Sequence, residues 1–532
     1  MSIAAGTDTG SAAIYFDGIL PDAKKPTRIA RLQAYLDQLI NFRALYSQGV
    51  PSVAQNTDRD AEGPSDLFAV RHVPAKLSAL PASPFLVPAV IEAVLASQFA
   101  EVTRVVAGEA DAYCADQARK HGGTVLTSDS DLVAHDLGPD GAVVFFKDLQ
   151  IDESTTGETM LKGTRYVPAE IAEALGLKGL TAFAFAVEKD RHRTFKECVN
   201  LAKQQPDDDP KYDVFRREYS SIGLHSALAG RMNGSLPQSL QKVLESLDPR
   251  ISEYVHQLPP PKPEQARTNR DYKMYLPFLI DDPTRASAWN SGASVRRLGY
   301  SILNLTTLSL SRIMEYGRRG GRIASTGTSF LAAKEIVSSC RTLFNILDDE
   351  CDVYMQLPLP AVWRLIGMYL VCQSLIEDGK PLPSRNDVKL LLSGQHAGSS
   401  WAYIHVSAQL QAALYSLRML GQFLNVFFAA YSSSLDAKEF ASLLRDLQRH
   451  LNALPPLHEL FPPARLEREE RVWNEAVMKL FDMLGVQENA FLEPREKSKR
   501  KRKRKRDANQ DAASKETPKQ PSNNVYDLLA DS

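Results

Sequence analysis

The stretch EVTRVVAGEADAYCADQARKHGGTVLTSDSDL, residues 101–132, decides the fold. Two short apolar runs rich in Val and Thr, within 101–107 and 123–127, have strand length, and residues 109–120 between them have helical spacing. Each run is followed closely by a pair of acids: Glu109 and Asp111 after the first, Asp129 and Asp131 after the second. Working outward, AAIYF at 12–16, FLVPAVI at 85–91 and AVVFF at 142–146 read as further strands, and 28–46 as a helix. Strands alternating with helices predict an α/β core with a mainly parallel sheet, whose chemistry collects at the carboxyl ends of its strands.

Both acid pairs then stand at one edge of that sheet. Neighbouring strands lie about 5 Å apart, so the pairs can converge. Crowded carboxylates repel one another unless cations neutralise them. Ligands that are all oxygen suit a hard ion, Mg2+ or Mn2+, and two such ions let nucleases activate water and stabilise a leaving oxygen. One acid pair alone would carry little, because acids also suit the first turn of a helix. Asp17, in YFDG at 15–18, ends another apolar run, and Gly18 lets the chain turn sharply. Lys24, Lys25, Arg28 and Arg31 follow, with 24, 28 and 31 at helical spacing. They form a candidate face for a phosphate backbone, although such a cluster alone reads as a solvated helix face.

The order of these pieces resembles the nuclease core of the flap endonuclease and XPG proteins, which have a PIN-like fold: PheAspGly with basic residues after it, then GEADAYCAD, then LTSDSDL. Within that superfamily YFDGILPDAKKPTRIARL at 15–32 is closer to the asteroid branch. YLPFLIDDPTRASAW at 275–289 resembles a stretch after the nuclease domain in fungal asteroid-like proteins. The resemblance implies that Asp17, Glu109, Asp111, Asp129 and Asp131 hold Mg2+ or Mn2+, and that Lys24 and Arg31 approach the scissile phosphate. It implies a nuclease that hydrolyses branched or single-stranded DNA or RNA.

Two departures leave a second reading open, a nuclease-fold scaffold without turnover that binds nucleic acid or protein. Family members begin with a strand bearing another Asp; only sixteen residues precede Asp17, with Asp8 the sole acid among them, so that strand is expected to be missing. Where the family carries a Gly-rich helix-hairpin-helix, this chain has AFAVEKDRHR at 184–193. Asp190 falls there in an acidic position and is a further candidate ligand. The basic residues from Lys189 to Lys196 read as a solvated helix face in preference to a phosphate contact.

From about 225 to 490 apolar residues recur at three- and four-residue intervals, most clearly at 296–316, 328–347, 361–377, 402–430 and 436–454. The expected organisation is a nuclease domain over 1–160, a helical extension with a degenerate hairpin over 161–224, an all-α domain over 225–490 that positions substrate or a protein partner, and a disordered basic tail over 491–532. In that tail ten of the twelve residues 495–506 are Lys or Arg, a nuclear import signal or a nonspecific nucleic-acid arm. VYDLL at 525–529 is a small apolar island, and 51–65 reads either as a cover over the site or as inert loop. GRRGGR at 317–322 reads as a flexible basic turn.

The net charge of −1 hides this basic tail, and a composition of 44% hydrophobic and 24% charged residues is that of an ordinary soluble protein. No uninterrupted apolar run reaches the roughly 18 residues of a membrane span, so no membrane partner is expected. The five cysteines have no zinc spacing and read as structural thiols of a reducing compartment. No HExxH, GxSxG or P-loop is present, which removes zinc protease, serine hydrolase and nucleoside triphosphatase chemistry.

Overall fold

The computed structural model describes residues 2–5, 12–21, 24–49, 80–81, 83–153, 159–220, 236–258, 271–305, 312–349, 352–395, 400–431, 438–461 and 466–487. The stretch 51–65, Cys351 and the tail with its basic run and apolar island lie outside them.

Five strands form the first sheet: β1 Ser2–Ala5, β2 Ala12–Asp17, β3 Thr103–Val106, β4 Gly123–Thr127 and β5 Gly141–Phe145, in the order β3-β2-β1-β4-β5. β2 is parallel to β3 and β4 to β5, while β1 lies antiparallel between β2 and β4. Four strands therefore point the same way, and their carboxyl ends share one edge. A strand upstream of Asp17 is present after all, in the middle of the sheet, but SerIleAlaAla offers no carboxylate.

Helix α1, Lys25–Leu45, starts at that edge, with Lys24 at its N-cap. Helix α2, Leu86–Leu95, sets Ile91 against Ile14, Phe16 and Val105 of the sheet. It replaces the strand expected at 85–91. Pro88 falls in its first turn, where a missing N–H leaves no hydrogen bond broken, so the proline is tolerated. Helix α3, Ala110–His121, buries Cys114, Ala115 and Ala118 against Val125, Leu132 and Val143. After a small hairpin of β6 Gln150–Glu153 and β7 Thr159–Lys162 come α4 Pro168–Leu175, α5 Thr181–Lys189, α6 Phe195–Gln204 and α7 Pro210–Ser220. Phe185 of α5 holds α7 through Tyr212 and Phe215.

The rest is a large helical part with one continuous core running from Leu240 to Phe481. Helix Leu359–Glu377 is long and apolar enough to cross a membrane, but 61% of its apolar window is buried, with Trp363, Leu365 and Val371 inside this core. This part is not wholly α-helical. The segment expected as one helix over 296–316 is a helix only over Ala293–Asn304. From Arg312 it becomes β9 Arg312–Arg319, paired with β8 Tyr272–Tyr275 and β10 Arg322–Ser329. The basic turn 317–322 is the tip of the β9–β10 hairpin, where Gly320 takes the positive φ of 60° that suits glycine.

The stretch 275–289 is a buried anchor for that sheet. Asp281 accepts two hydrogen bonds from Arg318, at 2.9 and 2.5 Å, and a third from the Ala288 amide at 2.9 Å. Trp289 Nε1 donates to the Pro277 carbonyl at 2.8 Å. Nearby, Glu315 of β9 accepts from Arg296 at 2.7 and 3.1 Å and from the Tyr300 hydroxyl at 2.8 Å.

Helix Trp401–Tyr431 ties the two parts together through Arg418. Its guanidinium makes two 2.8 Å hydrogen bonds to Asp248, which is fully buried, and one of 2.7 Å to Glu92 of α2. Burial would raise the Asp248 carboxyl, but Arg418 holds it below the usual carboxylate range. Removing one partner of such a network strands the others, so Arg418→Ala is expected to lower stability by about 3–5 kcal/mol in urea unfolding.

Burial also pushes His135, His256 and His405 down to about 4. All three are neutral in the folded chain and take up protons on unfolding below the ordinary histidine value of about 6.5. Stability is therefore expected to fall as pH drops from about 6.5 towards 4, by on the order of 3 kcal/mol per imidazole at the lower limit, and unfolding followed against pH measures it. The described cysteines, Cys114, Cys198, Cys340 and Cys372, are buried and unpaired. Burial pushes the Cys340 and Cys372 thiols up to about 12, which makes them unreactive.

Candidate functional site

The carboxyl edge of the first sheet gathers the acids. β2 and β3 end side by side, with Asp17 opposite Val106, and the Gly18 amide donates to the Gly108 carbonyl at 3.2 Å. Gly18 has to be glycine, because a Cβ there would lie 2.3 Å from the Val106 carbonyl oxygen. Asp17 Oδ1 accepts from the Ala110 amide at 2.7 Å, so this carboxylate caps the start of α3. Glu109 holds the N-cap position of α3 and Asp111 its first turn.

β4 delivers the second pair. Buried Thr127 accepts from the Asp129 amide at 3.0 Å, and Asp129 accepts from the Asp131 amide at 3.0 Å, opening the short 3-10 turn Ser130–Ala134. Burial raises the Asp131 carboxyl above its ordinary value and Asp129 adds to this, against Lys24, Arg191 and Arg31.

Between the two pairs stands an ammonium. Lys24 Nζ lies 2.5 Å from Glu109 Oε1 and also feels Glu218 and Asp131. Burial alone would lower this ammonium; the hydrogen bond to Glu109 and the three negative charges raise it above the ordinary lysine value. Among the described residues no group of three or more Asp, Glu, His or Cys side chains is placed to hold a metal ion. Part of the repulsion expected to demand an ion is met by Lys24.

The basic cluster divides. Lys24 and Arg31 act on the acids, whereas Arg28 bonds Glu253 at 3.0 Å and Lys25 also acts on Glu253. Asp190 serves its own turn: it accepts from the His192 amide at 3.0 Å and pairs with Arg193 at 3.5 Å. The acid that does approach from the following helices is Glu218 of α7. Burial raises it, against Lys24 and together with Glu109 and Glu188. Its neighbour Tyr219 packs 4.9 Å from the His135 ring, and burial together with Asp131 and Glu188 raises its hydroxyl. The only sequence signal for this approach is the aromatic spacing Tyr212, Phe215 and Tyr219, which marks the face of α7 that packs inward.

Residues 82–330 match the family model described as XPG domain containing. The match supports membership of the XPG/PIN-like superfamily and a nuclease-like fold, and XPG-type nuclease domains generally bind nucleic acid. No curated protein and no solved structure gives a significant match. The matched stretch holds Glu109, Asp111, Asp129, Asp131, Asp190 and Glu218, while Asp17 and the basic cluster at 24–31 precede it.

Exchange of Lys24 for Met leaves Glu109, Asp131 and Glu218 without their shared counter-charge. Because Lys24 is partly exposed, the expected loss of stability at pH 7 is about 0.5–1 kcal/mol. At pH 4, where the raised Asp131 and Glu218 carboxyls are more protonated, the difference shrinks; urea unfolding at the two pH values measures both.

Proposed function

We propose that residues 1–160 form a PIN-like nuclease core of the fungal asteroid type and that it hydrolyses phosphodiester bonds in branched or single-stranded nucleic acid with Mg2+ or Mn2+. The observation that carries this reading is the placement of Glu109, Asp129 and Asp131 just beyond the ends of strands that point the same way, within a stretch that matches XPG domains. The donors are oxygen throughout, which suits a hard divalent ion. In the arrangement described they do not close around one, because Glu109 is taken by Lys24. No catalytic step is therefore routed through an ion. What the chain's own residues supply is an acidic edge flanked by Lys24 and Arg31, two cations suited to a phosphate backbone. On this reading Lys24 must release Glu109 before the acids can serve any other cation.

The second reading is a scaffold of the same fold that binds nucleic acid or protein without turnover. The Lys24–Glu109 ion pair favours it, as does a central strand without an acid. The basic run at 495–506 supports a nuclear location under either reading, and the helical part would then position substrate or a protein partner.

Labelled 5′-flap, bubble and single-stranded DNA and RNA, incubated with the full chain in Mg2+ and in Mn2+, decide between the two. Metal-dependent cleavage that falls by about a hundredfold or more in the Asp129→Ala/Asp131→Ala protein is the expected result. Binding without cleavage would leave the scaffold.

A further inference from the structure

The helical part contains a cavity of about 470 Å3, away from the acid edge. Residues 402–409 of helix Trp401–Tyr431 line one side. The segment 285–291, the end of helix Leu359–Glu377 with the loop after it, and the start of helix Arg385–Ser393 complete the lining. The size falls within the roughly 300–1,000 Å3 of small-molecule sites.

We propose that this cavity binds a nucleotide, with the base edge on Gln409 and His405 and a single phosphate on Arg285 and Lys380. The first argument is hydrogen bonding. Further along the same helix Ser416 bonds Arg296 and the Ala412 carbonyl, Arg418 bonds Asp248 and Glu92, and Gln422 accepts from the Asp248 amide. His405 and Gln409, 5% and 7% exposed and one turn apart, make no hydrogen bond among the described residues, and both line the cavity. His405 Nδ1 is shut from solvent without a partner. Buried polar groups are nearly always bonded, so two together on a cavity wall call for a ligand that bonds them. An amide offers both a donor and an acceptor, as does a neutral imidazole, and this is the chemistry that reads a base edge.

Charge supplies the second argument. Arg285 and Lys380 line the same cavity, and both act on His405, as do Arg318 and Asp282. Arginine and lysine are the usual phosphate partners. Asp378, bonded to Lys380 at 2.6 Å, and Asp387 also line the cavity. Arg285 pairs with Asp282 at 3.6 Å, so a phosphate has to compete with a carboxylate at each cation, which favours one phosphate over a polyphosphate, and Asp387 can accept from sugar hydroxyls. Leu375, Leu382 and Val406 provide apolar wall for the ring faces. The ligand is a nucleoside monophosphate, either free or as the terminal residue of a strand.

Calorimetric titration of the full chain with AMP, GMP, CMP, UMP, inorganic phosphate and a short oligonucleotide with and without a 5′-phosphate tests the proposal. At least one nucleotide or strand end is expected to bind, about tenfold or more weakly in Gln409→Leu and in Arg285→Ala, and undiminished in Asp129→Ala/Asp131→Ala. Arg285 is half exposed, so its variant remains informative should Gln409→Leu fail to fold. Tighter binding of the 5′-phosphorylated strand identifies a strand end as the ligand, and tighter binding of a mononucleotide identifies the free form. No binding, binding lost with the acid pair, or inorganic phosphate binding as well as any nucleotide overturns the proposal.

Discussion

Arg418 is the constraint on which the relation of the two parts depends. One guanidinium joins Asp248, just before helix Pro249–Val255, to Glu92 of α2, and the other oxygen of Glu92 accepts from the Leu457 amide at 2.6 Å. α2 at the same time packs on the sheet through Ile91, and Phe85 at its start packs its ring, tilted, against Tyr415 and Phe461 of the helical core. A few angstroms away the edge strand β3 is covered: the Val105 amide donates to the Glu245 carbonyl at 2.8 Å, and Arg104 pairs with Glu245. The α/β part therefore has no bare edge on this side, and the helical part reaches it through bonds whose failure would strand charge in a dry interior.

At the acid edge one ammonium and backbone donors hold the carboxylates in place. Lys24 stands at the N-cap of α1 and meets Glu109, while Asp131 and Glu218 lie within its field. Asp17 is occupied by the Ala110 amide and Asp129 by the Asp131 amide, so both also do structural work. The acids are thus preorganised by backbone donors and one ammonium.

What could be read from the sequence was what is local. β3, α3 and β4 follow from the alternation of Val and Thr runs with one helical stretch, and the acid pairs follow from their position after each run. β9 and β10 were illegible because RIMEYGRR and RIASTGTS lie beside strongly helical sequence, and the pairing of β9 with β8 spans some forty residues. α2 was misread because Val and Ile favour strands, although ValProAla leads into a helical pattern and the helix needs no N–H at that turn. The basic cluster looked like one face by spacing, yet Glu253, more than two hundred residues away, draws Arg28 aside. Glu218 had no motif at all, since only the packing of α7 on Phe185 brings it to the edge.

Helix α1 connects these two regions mechanically. Its 21 residues span about 30 Å, and its far end is rooted in the helical part. Leu39 and Phe42 pack on Trp401, whose Nε1 donates to the Tyr46 carbonyl at 2.7 Å, and Arg43 pairs with Asp282 at 3.5 Å. Midway, Gln33 accepts from the Ile323 amide of β10 at 3.0 Å. The near end carries Lys24 into the acids. The helical part also reaches the near end directly, because Glu253 of helix Pro249–Val255 pairs with Arg28 and acts on Asp17. A rod held at its far end by Trp401, midway by β10 and near its start by Glu253 fixes where the Lys24 ammonium stands among the carboxylates, so the placement of that charge depends on the packing of the helical part.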